Sequence, residues 1–285
     1  MIVQLALTLV LSQAVRSRVD DQDPNSQCLW WPENTAIQIK FSADGNPITP
    51  AETEFTAITA AMTTWQTQLN RCASLTLTPG AHTTTRKVGY FEKETNENVA
   101  VFRLRRCSEV VPPGSTCATD QSCGDQFDCW QHQEAAIAIT TTSYNPKTGR
   151  ILDSDIEFNA AVFTFSTVNS PVCPGGSPST SCVASDVQNT TTHELGHLLG
   201  LGHSPSTSST MSFRANPGEL TKRVLDTDTA QFVCDVYPRG RPSQTCFLKV
   251  VSGELGPAKR GCSSVPGGAL IAIAALLLKR RRSSR

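Results

Sequence analysis

The stretch His193-Glu194-Leu195-Gly196-His197-Leu198-Leu199-Gly200-Leu201-Gly202-His203 constrains this chain more than any other. Residues four apart on a helix lie one above the other, about 6 Å apart at Cβ, so His193 and His197 can turn two imidazole nitrogens toward one point. Gly200 lacks a Cβ and enters the left-handed region at little cost, which ends the helix and turns the chain back. His203 is thereby brought to the same point. Three of the five histidines fall within these eleven residues, a density that scattered core histidines do not explain. Three imidazoles leave one tetrahedral position of a Zn²⁺ ion open, as in a catalytic rather than a closed structural site. Glu194 lies beside them without being needed as a ligand, and its carboxylate suits a general base acting on water there.

Eight residues past His203 comes Ser209-Thr210-Met211-Ser212, and Met211 is the only methionine after Met62. The signature H-E-x-x-H-x-x-G-x-x-H with a following methionine resembles the metzincin metallopeptidases. Ser204 directly after the third histidine, and the short gap to Met211, resemble the matrixin branch. That resemblance implies a zinc-dependent endopeptidase hydrolysing peptide bonds of extracellular proteins, with protein or peptide substrates. His193, His197 and His203 would be the metal ligands, Glu194 the catalytic base, and Gly200 and Met211 supporting residues. It also implies an α+β fold with an α/β-like N-terminal part. A five-stranded twisted mixed sheet with an antiparallel edge strand would pack on the active-site helix, and a C-terminal helix would close the domain. Two family features are missing. The cysteine-switch motif is absent, and only His82 and His132 lie outside the signature, too few for the family's second, structural zinc. The competing reading is a non-catalytic, zinc-stabilised surface binding or adhesion protein on the same scaffold; an unligated Glu194 argues against it. Zinc-dependent deacetylation or ester hydrolysis is disfavoured by a cleft strand built to pair with a peptide.

With 285 residues and 39% hydrophobic content the chain can bury a sizeable core. Basic and acidic residues number 25 each, but Lys279, Arg280, Arg281, Arg282 and Arg285 crowd the C-terminus, leaving the body mildly acidic. Nothing in that balance suggests nucleic-acid binding. Eleven cysteines, none in C-x-x-C, point to disulfides and an oxidising compartment. Ten lie between Cys28 and Cys246, and Cys262 stands apart. Connectivity is not readable from sequence, but short loops favour Cys173 with Cys182 and Cys234 with Cys246. A metal cluster of Cys107, Cys117, Cys123 and Cys129 is the rival reading of those four.

Along the chain, residues 1–14 read as a signal peptide, without the usual basic residue near the start. Cleavage near Ala14 would leave too few residues before Cys28 for a folded prodomain. The catalytic domain is expected over 28–238. Ile37, Ile39 and Phe41 alternate as a strand. Thr49-Pro50-Ala51-Glu52 reads as a capping box opening a helix with an apolar stripe of Phe55, Ile58, Met62, Trp65 and Leu69. Further strands are expected at Leu75–Leu77, Val99–Val101, Ile137–Ile139 and Ile151–Phe158, with parallel pairing across the first helix. Residues 105–134, Cys-rich and aperiodic, read as a disulfide-pinned insertion. The run from Gly149 to Asn159 resembles the antiparallel edge strand of matrixin-like clefts, where an extended peptide can add. Its Asp153 and Asp155 could join a Ca²⁺ site, though solvated surface acids is the plainer expectation.

A second capping box, Ser185-Asp186-Val187-Gln188, should start the histidine-bearing helix, with Val187, Thr191, Leu195 and Leu198 facing the core. A closing helix should begin near Asp226 and end at Pro238. Residues 239–260 read as a linker. Residues 261–285 combine Gly261-Cys262, an apolar run over 265–278 and the basic cluster. As a helix that run spans about 21 Å, short of the roughly 30 Å hydrocarbon core. This tail resembles the C-terminal sorting signals of myxobacterial surface proteins, which implies transient membrane contact, a C-terminal processing enzyme acting near Cys262, and a secreted or cell-surface destination in a bacterial envelope. A short permanent membrane anchor is the alternative.

Overall fold

The computed structural model describes residues 14–175 and 177–246. The segments expected to be a signal peptide and, around Cys262, a sorting signal lie outside the described residues apart from Ala14. In chain order the elements are β1 (Val15–Arg16), β2 (Ala36–Ser42), α1 (Thr53–Cys72), β3 (Thr76–Thr83) and β4 (Asn98–Arg103). Three short helices, α2 (Cys107–Val110), α3 (Cys117–Asp120) and α4 (Cys123–Phe127), fill the Cys-rich insertion. Then come β5 (Ala138–Tyr144), β6 (Ile151–Asn159), β7 (Phe165–Ser166), β8 (Ser185–Asp186), α5 (Val187–Leu198), β9 (Leu201–Gly202) and α6 (Thr227–Val236).

Five strands form one mixed sheet in the order β3-β2-β4-β6-β5, parallel except for the antiparallel β5–β6 pair at the edge. The fold is α+β, as the sequence implied. One correction concerns the edge. The strand β6 pairs with β5 over 151–158 and with β4 over 156–159, so the antiparallel edge strand is β5 at 138–144. The hairpin turn folds the later strand inward and leaves the earlier one outside.

The period-two pattern of β2 buries Ile37, Ile39 and Phe41 against the helical stripe Ile58, Met62, Trp65 and Leu69 of α1. Val187, Leu195 and Leu198 of α5 complete this core, and Trp65 Nε1 donates to Thr192 O at 2.8 Å, fixing one helix on the other. The first capping box does not form. Ala51 and Glu52 adopt positive φ, Pro50–Glu52 makes a separate 3₁₀ turn, and Thr49 Oγ1 is left buried without a partner. Glu54, in the first turn of α1, instead ties the helix to the loop after β2 by accepting from Asn46 N at 2.8 Å.

The far face of β6 departs most from expectation. Asp153, Asp155, Glu157 and Asn159 alternate onto one side and all are buried, not solvated. Two segments cover them. The loop after β3 donates Gly89 N to Asp155 Oδ2 at 2.6 Å, while Val99 N donates to Oδ1 at 2.8 Å. The insertion is held down by Arg103, fully buried, whose guanidinium binds Glu157 at 2.7 Å and Asp125 and Asp128 at 3.0 Å. His132 contacts the other Glu157 oxygen at 2.9 Å. The four insertion cysteines form two disulfides, Cys107–Cys129 and Cys117–Cys123, so the metal-cluster reading of them is corrected. Cys173–Cys182 forms as expected, but Cys234 pairs with Cys72 and Cys246 with Cys28. Proximity in sequence misled there: α6 packs on α1, and the chain after α6 returns to its N-terminal segment.

Candidate metal centre

Asp186 caps α5 by accepting from Asn189 N at 2.7 Å, so the helix starts at Val187. At its other end, Trp31 Nε1 donates to Leu198 O and Tyr237 Oη to Leu199 O, each at 2.8 Å, occupying carbonyls that a helix end leaves unpaired. Gly200 follows with φ +89°, and a Cβ there would stand 2.8 Å from Leu29 O. The turn that sequence assigned to it is the one observed, and β9 pairs back onto β1 before delivering His203.

The three histidines converge. His197 Nε2 lies 3.2 Å from both His193 Nε2 and His203 Nε2. Two nitrogens each about 2.0–2.1 Å from one Zn²⁺ at the tetrahedral angle would be about 3.3 Å apart, so the triad fits that ion. The second ring nitrogens settle the tautomers. His193 Nδ1 donates to Thr210 O and His197 Nδ1 to Leu201 O, both at 2.7 Å, since a carbonyl only accepts. Both Nε2 atoms therefore carry lone pairs in the neutral rings, and lone pairs facing each other at this distance call for a cation between them. Burial pushes His193 and His197 down from the usual imidazole range; burial, with the repulsion that protonating both His203 and the adjacent His197 would bring, takes His203 to about 4. The rings are thus kept neutral, the form that ligates.

Glu194 is buried beside the triad, and burial pushes its carboxyl up to about 7. Thr140 Oγ1 on the free edge strand donates to Glu194 Oε2 at 2.7 Å, which resists that rise and aims the carboxylate. Beneath the triad Met211 is buried, and Gly196 is the residue that admits it: a Cβ there would meet Met211 Sδ at 2.2 Å. The methionine turn is held from two sides. Ser204 N donates to Met211 O at 2.8 Å, and Asp226, the cap of α6, accepts from Thr210 N at 2.8 Å and Ser209 Oγ at 3.0 Å. The structure thus brings the three histidines together, with Glu194 on the same cleft, Met211 packed against Gly196 of the same helix, and Gly200 in the turn that leads to His203.

The triad opens into a cleft of about 640 Å³ between β5, α5 and the segment Ser212–Asn216. Sequence reading missed several lining residues. Ser17, Arg18 and Asp21 come from the N-terminal segment, and Lys222 from the segment before α6. Thr140 carried no signal at all, because its role depends on a pairing 54 residues along the chain. Among the described residues no helix is long and apolar enough to cross a membrane, and residues 265–278 lie outside them.

The family model described as Peptidase_M10, matrixin, matches residues 30–238. No curated protein matches the chain.

Proposed function

The chain belongs to the matrixin family of zinc metallopeptidases, and from that premise we propose that it is an exported endopeptidase using Glu194 as general base. His193, His197 and His203 are the proposed ligands. The observation that carries the reading is the convergence of three neutral imidazole nitrogens beside a buried carboxylate. Zinc held there supplies Lewis acidity, polarising a scissile carbonyl and acidifying a water.

The chain's own residues do the rest. An extended peptide adds to the free edge of β5 through main-chain bonds that ignore side-chain identity, setting its carbonyl at the triad. Glu194, with Oε2 tied to Thr140, takes the attacking water's proton at Oε1 and returns it to the leaving amine. Such a relay contributes about 10²- to 10⁴-fold. Met211 and Gly200 keep the ligands placed, one by filling the space under the rings and the other by turning the chain toward His203.

Five disulfides among the described residues fit an extracellular protein. We assign the catalytic domain to 28–238, export to the signal peptide 1–14, and surface delivery to the tail 261–285 after the linker 239–260. Ca²⁺ is the proposed partner of Asp153 and Asp155, whose carboxylates are buried side by side. Incubation with casein tests the central reading. Cleavage that stops on adding chelator, and is absent in Glu194→Gln with zinc retained, is expected. Full activity in that variant would refute the base, and no cleavage by the wild type would favour the surface-adhesion alternative.

A further inference from the structure

One wall of the cleft holds a buried ammonium with a donor to spare. Lys222 is 4% exposed yet lines the cleft together with Asn189, Thr190 and Asn216. Its backbone N–H donates to Asn189 Oδ1 at 2.7 Å, which fixes it to the first turn of α5, one turn ahead of His193. Its Nζ donates to Arg214 O at 2.6 Å and to a Glu219 carboxylate oxygen. An ammonium carries three donors. Among the described residues the third has no acceptor, and a buried charged donor left unmatched is costly. That third donor is left for whatever occupies the cleft.

The charges on this wall do not balance. Glu219 answers Lys222, but Arg214 is exposed, lies 5.2 Å over the Phe213 ring, and has no carboxylate partner among the described residues. On this wall the two cations Lys222 and Arg214 stand against the single carboxylate of Glu219, while Arg18 and Asp21 line the cleft from the N-terminal segment. The stretch Ala135 to Ile139, which also lines the cleft, is apolar or small.

The geometry points to a specificity-determining role for Lys222: the recess between α5 and the segment Ser212–Asn216 takes a substrate side chain, flanking the scissile bond, that ends in a carboxylate. This rests on the peptidase reading. A Glu or Asp side chain supplies Lys222 with a third acceptor and Arg214 with a carboxylate partner; an aliphatic one supplies neither. Arg214 at the rim would draw the acidic side chain in, and Lys222 would hold it.

A degenerate hexapeptide mixture tests this with two readouts. The full chain is incubated with the mixture and the cut sites are read by mass spectrometry. Separately, the mixture is passed over immobilised, zinc-loaded Glu194→Gln chain and the retained peptides are sequenced. Glu and Asp should exceed Leu and Phe by about fivefold or more at one position flanking the cut, with acidic peptides enriched likewise in the retained fraction. In Lys222→Met/Glu219→Gln, which leaves no lone buried charge, the preference should fall to within about twofold. Cutting beside aliphatic residues, or a preference unchanged in the double variant, overturns the proposal and leaves the peptidase reading standing. Retention of acidic peptides that the wild type never cuts would overturn the peptidase reading and with it the placement beside a scissile bond, keeping only an acid-binding recess.

Discussion

At the scale of single residues, the account turns on what holds Glu194. A carboxylate buried next to three imidazoles is pushed toward its neutral form, and only Thr140 donates to it among the described residues. A hydrogen bond to a charged group is worth about 1.5–3 kcal/mol, and 1.36 kcal/mol is tenfold in rate. Thr140→Val keeps the shape and removes the donor, so kcat should fall roughly tenfold while zinc content and Tm stay near wild type. Steady-state kinetics with metal analysis on the same sample checks this; an unchanged kcat would mean that the edge strand does not aim the base.

At the scale of elements, α5 is a rigid rail whose two ends and one close approach determine where the proposed ligands stand. Gly196→Ala pushes a methyl into Met211 Sδ and so displaces the turn whose Thr210 carbonyl orients His193. Outer-sphere losses of this kind typically cost 10- to 100-fold in metal affinity, and a competition titration with a chromophoric chelator should find a weakening in that range. Much of this element was legible beforehand. The histidine spacing, Gly200 and Met211 obey local rules, since each depends on a few neighbours along one helix and one turn. The free edge was misassigned because a hairpin decides which of its two strands lies outside only through pairing with β4, a contact between residues far apart in sequence. Cys72–Cys234 failed for the same reason: α6 docking on α1 brings together cysteines separated by 162 residues. The burial of Asp153 and Asp155 depends on a covering loop with no periodicity to read.

At the scale of the whole molecule, the sheet has two unlike faces: an apolar one carrying α1 and α5, and a polar one sealed by the loop after β3 and the disulfide-braced insertion. Burial, then the neighbouring Asp153, raises Asp155 to about 9. A carboxyl raised in the folded state holds a proton that the unfolded chain releases near pH 4, so its stabilising effect is full below that and declines as pH rises toward 9. In chelator, Tm should therefore fall between pH 5 and 9, less steeply in Asp155→Asn, and Ca²⁺ at pH 8 should restore it; thermal melts across that range would show no difference between the two chains if the pair were solvated. The cleft on the other side is where zinc is proposed to act. The most direct test is peptide hydrolysis by the chelator-stripped chain titrated with Zn²⁺. Activity should rise from nothing and level off at one equivalent, whereas hydrolysis without added zinc, or none at full occupancy, would contradict the account.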